Sequence, residues 1–326
     1  FIGGAAVSKD FGKIPKSVLL KNEVGTFKII ENEVLENVGM VTDAVWTDFD
    51  GDSWVDLIVV GEWMSPRFFQ NHEGILKDVT EEILDQKLTG LWQAIIPFDI
   101  NGDGEMDYLL GNWGLNSKFS SKESFPLKMY YADFDENGST ETIVAYEKDE
   151  NYYTVAGLDE LGSQMNFLKR KFTSYKDFAG KPLEELFDDE QLENANLLTA
   201  EQLASGYLLN VNGKFKFESF DASLQVAPLT TFLKYDFDGD GKEEVLAGGN
   251  YFGVSPYHGR LGSLSGNTIS SEGKIIEGYQ LGLKFSQKAV RGLDIINLNG
   301  THYVLVTFNN DKPDFYKLRQ VNQSQK

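Results

Sequence analysis

One nine-residue pattern, repeated four times, constrains the fold of this chain more than any other feature. The copies are DFDGDSWVD from Asp48, DINGDGEMD from Asp99, DFDENGSTE from Asp133 and DFDGDGKEE from Asp236. Each places Asp or Asn at positions 1, 3 and 5 and an acid at position 9: Asp48, Asp50, Asp52 and Asp56; Asp99, Asn101, Asp103 and Asp107; Asp133, Asp135, Asn137 and Glu141; Asp236, Asp238, Asp240 and Glu244. A recurring unit of this kind signals a repeat architecture. Short runs rich in branched and aromatic residues flank every copy, AVWT, AIIPF, KMYYA and TFLKY before it and LIVV, YLLG, TIVAY and VLAGG after it. The loops therefore join strands, not helices.

Oxygen ligands at alternate positions of a tight, Gly-containing loop suit a hard cation, and calcium takes six to eight of them at about 2.3 to 2.6 Å. Carboxylates packed this closely repel by about 4 kcal/mol per pair at 4 Å, even at an effective dielectric of about 20, unless a cation lies between them. Up to four calcium ions are expected, and they would bring the formal charge from -20 to about -12. An EF-hand shares the opening of the pattern but needs an acid at position 12, where this chain has Val59, Leu110, Val144 and Ala247. Plain acidic turns remain the bland alternative, because Asp, Asn and Gly favour turns in any case. Four copies with a matching ninth residue weigh against that reading.

A second, weaker repeat reads apolar strand, Asn, Gly turn, apolar strand: SVLLKNEVGTFKII, RFFQNHEGILKDV and GYLLNVNGKFKFESF. Added to the acidic loop and its flanks, it completes a four-stranded propeller blade. The expected fold is thus an all-β propeller of five to six blades, seven at most, spanning 1–326 as a single domain within a longer protein. The loops begin at 48, 99, 133 and 236, intervals of 51, 34 and 103 residues, so the blades are unequal. The 34-residue interval is too short for a whole blade. The long one contains a stretch with helical spacing of apolar residues and a Pro182 start signal, read as a helical insertion over 157–205 between the second and third strands of one blade. FIGG, SVLLKN and TFKII at one end and VRGLDIIN, HYVLVTF and DFYKL at the other supply further strands, and a blade shared between termini would close the ring.

Fifty acidic against thirty basic residues repel phosphate backbones and anionic lipid headgroups, which argues against nucleic acid as a partner. No apolar run is long enough for membrane insertion by this segment. The chain has no cysteine, so disulfides, thiolate zinc sites and cysteine nucleophiles are excluded. It opens Phe1-Ile2-Gly3-Gly4 and reads as a processed piece of something longer, with other domains of the same chain among its expected partners.

The second strand ends in Gly61-Glu62-Trp63, Gly111-Asn112-Trp113 and Gly249-Asn250-Tyr251, a polar residue and an aromatic at the same place each time, and Trp92 enters a first strand from the same side. With Arg260, these residues make the face opposite the acidic loops the expected ligand surface, for carbohydrate or an extracellular protein. The competing reading packs the aromatics between blades. Catalysis has a thinner basis: three histidines, no nucleophile elbow and no phosphate loop, with Tyr257-His258-Gly259-Arg260 as the best fragment for a lyase-like, polysaccharide-processing enzyme. No catalytic residue is assigned.

With its DxDxDGxxD loops between paired strands, the chain resembles the FG-GAP and VCBS repeat proteins. GMVTDAVWTDFD, VVGEWM and LLGNWGLNSKF look like the C-terminal region of bacterial surface proteins that join VCBS repeats to an ASPIC/UnbV segment. The resemblance implies calcium at the sixteen loop positions and an extracellular or outer-surface location. Asn at 101 and 137 and Glu at 141 and 244 depart from the pattern but remain oxygen ligands, while DIINLNGTH around Asp294 keeps only a trace and is expected to hold no metal.

Overall fold

A computed structural model describes residues 1–254 and 259–318. The chain is mostly β, in several antiparallel sheets. A hairpin of β1 (Leu19–Glu23) and β2 (Thr26–Ile30), with Ile2 bridged to Val18 beside it, is followed by the short helix α1 (Glu33–Glu36). A meander comes next: β3 (Met40–Thr47), β4 (Asp56–Met64), β5 (Arg67–His72) and β6 (Ile75–Asp78). After helix α2 (Thr80–Ile83), β7 (Gly90–Leu91) adds to the far end of β4.

β8 (Ala94–Pro97) and β9 (Tyr108–Gly111) open a sheet that the chain then leaves. It builds β10 (Leu127–Ala132), β11 (Glu141–Lys148) and β12 (Asn151–Thr154), five helices, and β13 (Asn196–Ala200) on the free edge of β10. It returns with β14 (Gly206–Val211), which pairs with β9, and β15 (Lys214–Ser219). The 34-residue interval is thereby explained, because the sheet interrupted after β9 recovers its outer hairpin only at GYLLNVNGKFKFES. The helices α3 (Leu158–Gln164), α4 (Asn166–Lys171), α5 (Tyr175–Phe178), α6 (Leu183–Leu186) and α7 (Asp189–Asn194) follow the third strand of the inserted sheet, not its second. They cover one face of that sheet, packing Leu161, Met165, Leu168 and Phe187 on Tyr130, Ile143 and Ala145. The last two sheets are β16 (Leu229–Tyr235), β17 (Glu244–Gly249), β18 (Asn267–Ile269) and β19 (Ile275–Ile276), then β20 (Val290–Leu298), β21 (Thr301–Phe308) and β22 (Asp311–Lys317).

The second strands show how the sheets stack. Side chains alternate between the two faces of a strand, and in β4 Ile58 and Val60 join one core while Leu57 and Val59 join another. Tyr108 and Leu110 of β9 share the first of these with β4, and Leu109 enters a third together with Val245 and Ala247 of β17. Leu246 of β17 meets Val304 and Val306 of β21 in the next. β4, β9 and β17 are thus buried on both faces, which is why LIVV and VLAGG read as continuous apolar runs and not as alternating ones. The first strands β3, β8, β16 and β20 lie beside one another in that order. β3 and β16 carry equivalent bulges, from which Thr42 Oγ1 donates to the Trp92 carbonyl (2.9 Å) and Thr230 Oγ1 to that of Val290 (2.7 Å), tying each sheet to the next.

The Asn of the weaker repeat has a local task. Asn22, Asn71 and Asn210 each accept the N–H of the Gly three residues on, closing the outer hairpin at 2.8 to 2.9 Å. Asn297 does the same with Gly300. The degenerate copy around Asp294 is therefore a tight hairpin where the other sheets carry an acidic loop.

Candidate metal centres

All four acidic loops join the first strand of a sheet to the second, and their backbone explains the glycines. Positions 4 and 6 take left-handed conformations: Gly51 and Ser53, Gly102 and Gly104, Glu136 and Gly138, Gly239 and Gly241, with φ between 57° and 91°. Glycine adopts that region without penalty, so Ser53 and Glu136 are the strained departures. The fold-back aims backbone N–H groups at the position 1 carboxylate. Asp48 accepts from Gly51 and Ser53 (2.8 and 3.0 Å), Asp99 from Gly102 and Gly104 (2.7 and 2.9 Å), Asp133 from Asn137 and Gly138 (2.9 and 2.8 Å), and Asp236 from Gly239 and Gly241 (2.6 and 3.1 Å).

The ninth residue closes the loop from the other end. Asp56, Asp107, Glu141 and Glu244 accept the N–H of position 2, from Phe49, Ile100, Phe134 and Phe237. The two aspartates reach further: Asp56 Oδ1 also accepts from Asn71 N (2.7 Å) and Asp107 Oδ1 from Asn210 N (2.8 Å), so the acidic loop and the outer hairpin share one carboxylate.

Three of the loops draw carboxylates together. One oxygen from each of Asp48, Asp50 and Asp56 lies within 4.8 Å of the others, and the same holds for Asp133, Asp135 and Glu141 and for Asp236, Asp238 and Glu244. These are positions 1, 3 and 9, and each set could hold a metal ion. The position 5 residues Asp52, Asp103, Asn137 and Asp240 lie outside these sets and each accept the N–H two residues ahead in a local turn, while the Asn137 side chain also hydrogen-bonds Glu141. In the second loop position 3 is Asn101, whose amide donates to Asp103 (2.8 Å), so no triad of carboxylates forms there. Of the sixteen expected ligand positions, nine are brought together as carboxylate triads.

The electrostatics follow from burial. Asp56 is fully buried, and its carboxyl is pushed up to about 6, first by loss of water and then by the charges of Asp50 and Asp52, against the hydrogen bonds that lower it. Burial likewise raises Asp107, Glu141 and Glu244, with their loop neighbours adding to it. In the third loop Asp135 Oδ1 is buried without a hydrogen-bond partner. A buried carboxylate oxygen of this kind is costly unless a cation or donor meets it, and all the donors here are the hard oxygens that calcium or magnesium takes.

The opposite ends of the second strands differ from expectation. The three glycines there are dictated by contact: a Cβ on Gly61, Gly111 or Gly249 would lie 2.1, 2.2 or 2.0 Å from the carbonyl oxygen of Met40, Leu229 or Pro228. Asn112 and Asn250, taken from sequence as ligand residues, are fully buried and spent on backbone. Asn112 bridges Leu91 and Trp113 N–H groups to the Gln202 and Ala204 carbonyls, and Asn250 donates to Leu264, Phe285 and Lys288 carbonyls, each at 3.0 Å. Trp92 is fully buried, with Nε1 donating to Leu88 and its ring edge-on to Phe217, so no face is open to a ligand. Trp113 packs on Phe119 and Tyr251 in the same core as Trp63. Packing, not display, accounts for the Trp92 and Trp113 rings. Arg260 is exposed with its guanidinium over the Phe252 ring, and Tyr257 and His258 lie outside the described residues. Glu62 and Trp63 line a cavity of about 940 Å³.

Residues 17–110 match the FG-GAP-like repeat family, a span that holds the first two acidic loops. No curated protein matches the chain. Among the described residues no helix is long and apolar enough to cross a membrane.

Proposed function

We propose that this chain is a β-propeller module of an extracellular or outer-surface protein, stabilised by calcium in its acidic loops and serving recognition or scaffolding, with carbohydrate or an extracellular protein as its partner. The recurrence of one carboxylate triad at positions 1, 3 and 9 of three loops carries this reading. Three acids drawn together around a buried or half-buried ninth residue have no purpose in packing and a ready one in holding a cation, and the unpartnered Asp135 Oδ1 points the same way. Calcium is favoured over magnesium because the loops offer crowded, irregular oxygen sets and not a small octahedron completed by water. The FG-GAP-like match supports the extracellular setting, where calcium is abundant. Sheets stacked face to face, with first strands adjacent in series, support the propeller: the N-terminal hairpin and four further sheets then act as five successive blades, with β10 to β13 as an insertion.

The test is thermal unfolding of the chain in excess calcium, in excess magnesium and in chelator. Each site saturated to a hundred times its dissociation constant adds about 2.7 kcal/mol, so three sites give a large calcium-specific rise in midpoint. An unchanged midpoint, with no metal found by elemental analysis, sinks the proposal.

A further inference from the structure

The cavity beside β4 is built from separate parts of the chain, with Ile14 of the N-terminal segment and Leu198 of β13 on its walls. At its inner end β4 is irregular: Glu62 pairs with Leu91 and Met64 with Gly90, which leaves Trp63 as the extra residue of a bulge. Its φ is 59°, a left-handed conformation that strains a bulky side chain. Bulges of this kind re-aim side chains. Here the result puts a tryptophan with 8% of its surface exposed beside a mostly buried carboxylate, both on the cavity wall.

Charge then selects the occupant. The two cations on the wall are already committed: Arg67 donates from Nε to Asp78 (3.0 Å), and Lys87 pairs with Glu201 (3.1 Å). Glu62, Glu81 and Asp85, also on the wall, have no ion pair among the described residues, and Glu62 keeps a single partner, the Gln93 amide at 2.9 Å. A wall with uncompensated carboxylates repels uronates, sulfates and phosphates. Its apolar residues suit a short alkyl stem.

We propose that this cavity binds a primary alkylammonium group, with Glu62 as its counter-charge and Trp63 against its stem. The chemistry is that of a lysine side chain on a peptide or of a free diamine. The site lies at the end of β4 away from Asp56 and does not depend on calcium in the loops.

The experiment is calorimetric titration of the full chain, in excess calcium, with a blocked tripeptide carrying lysine, the same peptide carrying norleucine, and 1,5-diaminopentane. The lysine peptide, the diamine or both bind, the norleucine peptide does not, and which ammonium binds identifies the source. Glu62→Gln, which keeps the acceptor for Gln93, weakens binding by about tenfold or more, as expected for loss of a charge-assisted contact. Should that variant fail to fold, Trp63→Phe is expected to weaken the same ligands. Equal binding of the norleucine peptide, no binding of any ammonium probe at millimolar concentration, or unchanged affinity in the folded variants overturns the proposal.

Discussion

Replacing Asp56 by Asn should have opposite consequences with and without calcium. Without a cation, the Asp56 carboxyl titrates near 6 in the folded chain against 3.8 for the free side chain. The sign is fixed by which state holds the proton more tightly. Between those values the folded state does, so its stability falls as pH rises through the window, and above it the full cost remains. At 1.36 kcal/mol per pKa unit that cost is at most about 3 kcal/mol, and water around Asp50 and Asp52 screens it to about 2. Asn removes the charge but also one of the two acceptors that serve Phe49 N and Asn71 N, a loss of about 1 to 3 kcal/mol. The two effects nearly cancel, so Asp56→Asn in chelator at pH 7 should lie within about 1 kcal/mol of the parent and show a flatter pH dependence between 4 and 6. In calcium the same change replaces a charged ligand by a neutral amide oxygen and should cost more than it does in chelator, by up to about 3 kcal/mol. Paired thermal melts over pH 4 to 8 measure both. An equal loss in calcium and in chelator would refute the reasoning, because the ninth residue would then act only through its hydrogen bonds.

Ser53→Gly relieves a left-handed serine and should raise stability by about 1 kcal/mol in chelator, read as a higher denaturant midpoint. Gly111→Ala forces a methyl group to 2.2 Å from the Leu229 carbonyl and should cost about 2 kcal/mol or more; a melt within one degree of the parent would contradict the close approach. Asn250→Ala strands the Leu264, Phe285 and Lys288 carbonyls in the interior, and urea unfolding should register a loss of about 2 to 4 kcal/mol. Trp92→Ala should cost about 3 to 5 kcal/mol in the same assay, as a cavity in a packed core does.

What the sequence reveals about this chain is what lies close together along it. The acidic loops and the strands on either side of each are local, so their pattern survives as a readable string, and so does the Asn-to-Gly hairpin closure. The return of the chain from β13 to β9 is not local. Nothing in YLLG announces that its partner is GYLL, and the strands of the interrupted sheet could be assigned only once both were placed. The aromatic residues after Gly61, Gly111 and Gly249 repeat, but repetition does not distinguish a side chain offered to a ligand from one packed at an equivalent point of successive sheets. Asn112 and Asn250 illustrate the limit: an Asn after a strand suits a ligand and suits a backbone clip equally, until three carbonyls are found around it. The position 5 residues carry the same ambiguity, since an Asp that can ligate a cation can also close its own turn.

The nesting of β10 to β13 within another sheet has a consequence for how the chain finds its fold. Joining Leu110 to Gly206 closes a loop containing the whole inserted unit, and closing so long a stretch while it is still unfolded is entropically costly. Once the insertion is folded, with β13 held antiparallel against β10, its two ends are tethered close together and the effective loop becomes short. The order of events should therefore be inside out: the helices and their sheet first, and the interrupted sheet afterwards. A lesion in the inserted core, at Met165 or Leu168, would then slow the assembly of strands that it never touches.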